Sequence, residues 1–256
     1  MRPLWNGSIS FGLVNIPVRL FSGATTREGL DLDMLHKEDK GPIRYARICR
    51  KDGDEVPWDD IVKGYEYRDG DYVVLTQKDF EKANPERTQT IDIQSFVDTS
   101  EIDIRYFEKP YYLEPVKGGE KAYALLRDAL AATDKLALTT YVLHEREHLG
   151  VVQTIGKALV LVQMRFPADL REATQLKFPE GAASKKELDV AKAFITQETR
   201  HFVPEDYHDT YTEELESIIK AKVKGAKPSP AKHQAHKATE ASDLMASLKA
   251  SLKAKG

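Results

Sequence analysis

Residues 8–22, SISFGLVNIPVRLFS, alternate apolar and polar side chains, and the phase of that alternation reverses beside Gly12. A period of two residues is typical of a β-strand with one buried face, whereas an amphipathic helix has a period of 3.6. The reversal predicts a β-bulge at Gly12, which bends a strand as the wall of a barrel requires. Because Pro17 cannot donate a ladder hydrogen bond, we expect it at an edge or a bulge.

Strand patterns recur through the first two thirds of the chain. Further strand-type segments are PIRYARICRKDGDEVPW, YEYRDGDYVVLT, TQTIDIQSFVD and KPYYLEPV, and the dipeptides Asp52-Gly53 and Asp69-Gly70 mark turns between such segments. One substantial helix is predicted over GGEKAYALLRDALAA, with an apolar face made of Ala122, Leu125, Leu126, Ala129 and Leu130. The fold class is therefore mixed α+β and mainly β, with a core domain over residues 1–180.

The last third of the chain changes character. Ser184 and Glu187 form a capping box that opens a helix, and a second helix follows Pro204, which predicts a helical arm over residues 181–223. Residues 224–241 are rich in Ala, Lys, Pro, His and Ser, a composition typical of a flexible basic linker. Residues 242–256 form a short amphipathic tail whose apolar stripe consists of Leu244, Met245, Leu248 and Leu252.

Composition narrows the class of protein. Cys49 is the single cysteine, which excludes an internal disulfide framework, and no apolar run reaches the length of a membrane span, so a cytoplasmic protein is predicted. The net charge is -3, but residues 221–256 carry eight Lys against one Glu and one Asp, which leaves -9 for residues 1–220. A basic tail on an acidic body indicates either a polyanionic partner or a solvated extension.

Residues 144–148, HEREH, match the zinc peptidase signatures H-E-x-x-H and H-x-x-E-H. The flanking segments are rich in Thr, Val and Ile, so we interpret HEREH as part of the first arm of a long β-hairpin that turns at TIGK. On a strand the two His residues are about 13 Å apart and cannot share one ion. We therefore predict no metal site, and we expect His144, Arg146 and His148 to share one face of the strand.

Five long segments of the chain share a further property when they are taken in order. They are WNGSISFGLVNIPVRLFS (5–22), LHKEDKGPIRYARIC (35–49), DEVPWDDIVKGYEY with DYVVLT (54–76), EIDIRYFEKPYYLEPVKGGEKAYALLRDAL (101–130) and PEDYHDTYTEEL (204–215). Together they resemble the bacterial Ku proteins of non-homologous end joining. The resemblance covers nearly the whole part of the chain that is predicted to fold. It is far more specific than any five-residue motif.

The resemblance implies a β-barrel core with a strand bridge that forms half of a ring around DNA. Two copies would form a homodimer that loads on the ends of double-stranded DNA without sequence specificity. Such a protein recruits and stimulates an ATP-dependent DNA ligase through its C-terminal region, has no enzymatic activity or cofactor of its own, and works at the nucleoid in the cytoplasm. Two other classes stay open, namely a zinc metallopeptidase and a β-barrel scaffold that binds no nucleic acid.

The resemblance also implies which residues contact DNA. The expected DNA-facing residues are Arg19, Lys37, Arg44, Arg47, Arg50, Lys63 and Arg146. Many relatives carry a second Cys downstream of Cys49, but here Asp52 occupies that position, so no zinc is predicted there. The stripe of the tail is expected either to dock on the ligase or to fold back on the core, and the Lys residues of the tail are further candidates for DNA contact.

Overall fold

The computed structural model describes residues 1–25, 30–83, 89–144, 146–179, 181, 183–225 and 244–254. The strands within them are β1 (Trp5–Phe11), β2 (Val14–Ser22), β3 (Lys63–Arg68), β4 (Asp71–Leu75), β5 (Thr90–Asp98), β6 (Phe107–Pro115), β7 (Lys135–Leu143), β8 (Arg146–Ile155) and β9 (Ala158–Met164). The helices are α1 (Gln77–Ala83), α2 (Glu120–Thr133), α3 (Lys185–Glu198), α4 (Thr210–Val223) and α5 (Leu244–Ala254). Contacts divide the chain into two compact units, Met1–Thr26 with Asp33–Ala173 and Arg27–Leu32 with Thr174–Gly256.

Seven strands of the first unit close into a barrel in the order β1-β2-β6-β9-β8-β7-β5. Neighbouring strands are antiparallel except β1 and β5, which run parallel with Ile9 beside Ile91 and so complete the closure. The interior contains the buried aliphatic side chains that the strand patterns supply, among them Ile9, Ile16, Val18, Leu20, Ile91, Leu113, Val152, Leu159 and Leu161. The predicted fold class, mixed α+β with a β-barrel core, is confirmed.

Helix α2 packs against β2, β7 and β8. Its buried side chains are Tyr123, Leu126 and Leu130, whereas Leu125 is 65% exposed. The apolar face predicted from the sequence was therefore wrong at Leu125 and at Ala129, which is also exposed, because the helix is rotated so that Tyr123 enters the core. The Tyr123 hydroxyl donates to the Leu113 carbonyl at 2.7 Å and accepts from the Leu159 amide at 2.7 Å. That pair of hydrogen bonds fixes the rotation of the helix.

The predicted bulge at Gly12 was wrong. Residues 5–22 form two antiparallel strands joined by a tight turn, in which Gly12 has φ +59° and Leu13 is fully exposed. The phase of the alternation reverses because the chain reverses direction there. Pro17 pairs with Ser8 in β1 but lies beyond the last residue of the β2–β6 ladder, where its carbonyl accepts from the Val116 amide. This local ladder end accommodates a residue without an N–H group.

A long excursion, the bridge (residues 33–75), lies between β2 and α1 in the first unit. Strands β3 and β4 form a separate two-stranded sheet, turned at Gly70 with φ +80° as Asp69-Gly70 predicts. All six residues of β3 and four of the five in β4 are exposed. Helix α1 then begins at Gln77, and the carboxylate of Asp79 in its first turn accepts from the Thr76 amide and hydroxyl.

The second unit contains α3, α4 and α5. Ser184 and Glu187 form the predicted capping box at the start of α3, and the Asp209 side chain caps α4 by accepting from the Thr212 amide. Helix α5 covers most of the predicted amphipathic tail, and it lies against α3. From residue 226 onward the predicted linker lies outside the described residues. The domain boundary expected after residue 180 stays a prediction.

Candidate nucleic-acid interface

The bridge begins with a narrow turn over residues 36–41. The His36 amide donates to the Gly41 carbonyl at 2.8 Å, and Lys40 has a φ of +61°. The Asp39 carboxylate accepts from the Gly41 amide and from His36 Nδ1, and both bonds hold the pKa of that carboxyl below its usual value. The turn therefore presents Lys37 at its tip, exposed and without a partner for its ammonium group among the described residues.

A second narrow turn covers residues 49–54. The Cys49 amide donates to the Asp54 carbonyl at 2.9 Å, and Gly53 has φ +83°, as the Asp-Gly dipeptide predicts. The Asp52 carboxylate accepts from the Asp54 amide and from the Cys49 thiol, which lower the pKa of Asp52. Asp52 thus serves as a turn-forming acceptor beside Cys49. Among the described residues, no three His, Cys, Asp or Glu side chains converge as the ligands of a metal would.

Aromatic rings support two of the predicted DNA-facing cations. The Arg47 guanidinium carbon lies 4.5 Å from the centroid of the Trp58 ring, and Lys63 Nζ lies 4.9 Å from that of Phe80. A cation over an aromatic face keeps its charge while its long side chain is held in one orientation. Both cations remain exposed, so these rings position positive charge toward solvent.

Other cations of the bridge are held loosely or not at all. Arg44 Nη2 lies 3.6 Å from Glu55 Oε2, and the Arg44 side chain is 85% exposed. Such an exposed ion pair contributes little to stability, so Arg44 is available to another anion. Arg50, at the tip of the second turn, has no side-chain partner among the described residues.

Arg19 lies in barrel strand β2, outside the bridge that carries the two turns. Arg19 Nη2 forms an ion pair with Glu114 Oε2 at 2.8 Å, which joins the paired positions of β2 and β6. Both side chains are about half exposed, at 45% and 51%. The pair lines an open cavity of about 940 Å³, together with Arg127 of α2 and Lys157 of the β8–β9 turn. A phosphate at Arg19 must compete with Glu114.

The HEREH stretch lies at the turn between β7 and β8, so the interpretation of HEREH as part of one hairpin arm was wrong. His144 has φ +52° and ends the β7 arm, and Arg146 then opens β8 opposite Leu143. The expectation that His144, Arg146 and His148 share a strand face was wrong for His144, because the chain reverses direction between His144 and Arg146. Arg146 and His148 do lie on one face of β8, and Arg146 is exposed.

His148 is fixed by contacts inside this turn. Its ring stacks on Tyr141 with centroids 5.4 Å apart, and Nε2–H donates to the Leu143 carbonyl at 3.2 Å. Burial raises the pKa of the Tyr141 hydroxyl, so that phenol stays neutral beside the imidazole. The peptidase motif needs both His residues on one face of a helix, whereas this chain places them on a turn and a strand. The geometry contradicts the peptidase interpretation.

The sequence reasoning missed the partners Trp58 and Phe80. A signal for Trp58 was present, because the turn predicted at Asp52-Gly53 pairs the segment before it with the segment after it. The Val56 amide donates to the Arg47 carbonyl at 2.7 Å, which places Trp58 two residues further along. For Phe80 no local signal existed, since the contact with Lys63 depends on how α1 follows the β3–β4 hairpin.

A family model described as the Ku70/Ku80 beta-barrel domain matches residues 10–190. The chain belongs to the Ku family. The resemblance read from the sequence is thereby confirmed, and the matched range includes the end of β1, the other six barrel strands, the bridge and the start of α3.

Three relatives are each named Non-homologous end joining protein Ku. The protein of Opitutus terrae is 47% identical and covers 100% of this chain and 93% of its own length. That of Pseudomonas aeruginosa is 40% identical over 86% of this chain and 76% of its own length. That of Coxiella burnetii is 37% identical over 99% of this chain and 95% of its own length. Among the described helices, none has the length and hydropathy needed to span a bilayer.

Proposed function

We propose that this Ku-family chain binds the ends of broken double-stranded DNA in non-homologous end joining. In this proposal it acts without catalysis or a cofactor, as a homodimeric ring at the nucleoid. The observation that carries the proposal is the bridge, which combines exposed cations with an apolar surface that the rest of the unit leaves uncovered. The names of the relatives support the pathway.

The apolar surface of the bridge supports a second copy as partner. Tyr65 and Val73 lie opposite each other on one face of the β3–β4 hairpin, while Tyr72 and Val74 lie on the other. All four are exposed, as are Trp58 and Val62 just before the hairpin. A two-stranded hairpin with both faces in water is marginally stable at best, and exposed apolar side chains that lie together often mark an interface with another protein. A dimer that covers the bridge would stabilise the hairpin and bury its exposed apolar side chains.

The cations of the bridge and barrel support DNA as ligand. Those proposed to contact phosphates are Arg19, Lys37, Arg44, Arg47, Arg50, Lys63 and Arg146. Their shared property is exposed positive charge, in several cases at turns, which suits phosphate contacts better than the reading of base edges. Affinity should therefore depend on salt and little on sequence. A closed ring explains how such contacts become specific for ends, because it can thread only onto a free terminus.

The first experiment compares linear with covalently closed circular duplex of the same sequence. We expect stable binding to the linear form, and we expect circular competitor to leave that complex intact. Cutting the circle once should restore competition, which makes the cut circle a control for sequence and length. Equal competition by intact and cut circles would exclude the ring and leave a surface-binding protein.

We propose that the tail binds an ATP-dependent DNA ligase, and so recruits and stimulates it. Its stripe of Leu244, Met245, Leu248 and Leu252 is of the kind that an apolar groove on another protein accepts. We expect removal of residues 241–256 to leave end binding largely intact and to reduce joining by the ligase. Undiminished joining would remove the docking role from the tail.

A further inference from the structure

The stripe of the tail has a partner within the chain. Helix α5 lies against α3 in the second unit. On α5, Met245 and Leu248 are half-buried, whereas Ala246, Ser247, Ala250 and Ser251 are exposed. The covered positions thus belong to the apolar stripe, and the uncovered ones to the opposite face.

Helix α3 has a matching covered face. Glu187, Val190, Ala191, Phe194 and Glu198 are half-buried, at spacings of three and four residues that place them on one side of a helix. Exposed residues of α3, including Lys192 and Ala193, fall on the other sides. Since α5 contacts α3, we infer that Met245 and Leu248 pack on the side of α3 that carries Val190, Ala191 and Phe194.

We propose that α3 and α5 form a latch, in which α3 covers the tail stripe in the resting chain and a partner gains the stripe only when the helices separate. A helix of the length of α5 is marginal in water by itself, so its order depends on the contact with α3. Because α3 and α5 belong to one chain, their contact is intramolecular, and contacts within one chain typically correspond to effective concentrations of about millimolar, so even a weak contact stays mostly closed. The latch is therefore self-closing and can be opened by a competing surface.

The first test measures hydrogen exchange of the α3 backbone amides in the full-length chain. Leu248→Asp should raise their exchange at least about tenfold, because the contact that protects α3 is lost. Ala250→Asp places the same charge on the exposed face of α5 and should change little. The reciprocal experiment changes α3 and measures hydrogen exchange of the α5 backbone amides. Ala191→Asp, on the covered side of α3, should raise their exchange, and Ala193→Asp, on an exposed side, is the control. Exchange that ignores both Leu248→Asp and Ala191→Asp would eliminate the latch.

A second test uses a labelled synthetic peptide of residues 241–256 as a probe. In the wild-type chain α5 competes with the peptide, so we expect binding at least about tenfold weaker than to the Leu248→Asp chain. Ala191→Asp combined with Leu248→Asp should abolish peptide binding, which locates the site on α3. Equal binding to wild type and Leu248→Asp would contradict an internal competitor.

The effect of the latch on the ligase rests on the proposed function. The variants test the latch and the docking of the tail on the ligase separately. Leu248→Asp and Ala191→Asp both open the latch, but only Leu248→Asp damages the stripe. In joining of linear duplex by the ATP-dependent ligase, Leu248→Asp should lose stimulation and Ala191→Asp should gain it. If exchange responds and joining does not, the latch stands and the docking role falls.

Discussion

At the residue scale, Tyr123 connects the helix of the first unit to the barrel. Its hydroxyl satisfies the carbonyl of Leu113 and the amide of Leu159, both on inward-facing positions of β6 and β9. Burial raises the pKa of the Tyr123 hydroxyl, so the phenol remains a neutral donor and acceptor. One side chain therefore holds two strands and one helix in register.

Tyr123→Phe should lower the free energy of unfolding by about 1–3 kcal/mol, because it leaves the Leu159 amide without an acceptor in the core. Denaturant unfolding measures the change. Tyr112→Phe is the matched control. Tyr112 is 41% exposed, and this change should alter the free energy of unfolding by no more than about 0.5 kcal/mol. Equal effects for the two variants would show that the hydroxyl of Tyr123 does not fix α2.

The contact between Arg47 and Trp58 allows two effects on DNA binding to be tested separately. One is the positive charge of Arg47, and the other is the orientation in which the Trp58 ring holds that side chain. Trp58→Leu keeps every cation, so we expect affinity for DNA ends to fall about two- to fivefold with an unchanged dependence on salt. Arg47→Ala removes a charge and should lower the slope of log affinity against log salt by about one unit. Binding titrations at several salt concentrations distinguish the two. A changed slope in Trp58→Leu would mean that the ring does more than orient Arg47.

At the element scale, the bridge segment bears three arginines at intervals of three residues. The combined change of Arg44, Arg47 and Arg50 to Ala should weaken binding to every DNA end alike and reduce the salt slope by up to about three units. The control removes three exposed cations near α2, with Lys117, Lys121 and Lys157 changed to Ala, and should retain most of the slope. If both triple variants lose the same slope, general charge rather than the bridge binds DNA.

At the scale of the whole molecule, the exposed apolar bridge predicts a dimer. Tyr65→Asp together with Tyr72→Asp puts a charge on each face of the β3–β4 hairpin, and should weaken self-association by about 30-fold or more. Sedimentation or light scattering over a concentration series measures this. Leu125→Asp, on an exposed position of α2, is the control and should remain dimeric. A double variant that associates as tightly as wild type would move the interface away from the hairpin.

Local patterns in the sequence were sufficient for the features that depend on a few neighbouring residues. The turns at Gly53 and Gly70, the capping box of Ser184 and Glu187, and the strands that flank HEREH all belong to this group, whereas the turn within HEREH does not. Each depends on the backbone preference of the residues themselves or, for the capping box, on side chains that reach backbone groups three positions away, so no distant contact is needed. The family, too, was recognisable from long segments of sequence before any geometry was known.

Only the tertiary structure decided the features that depend on distant partners. The turn at Gly12, the rotation that buries Tyr123 rather than Leu125, and the stacking of His148 on Tyr141 follow from barrel closure and strand register. The contact of α5 with α3 likewise joins segments that the linker separates. Alternation of apolar residues tells which side chains seek burial, but it does not say which surface will cover them, because that depends on groups brought together from far along the chain.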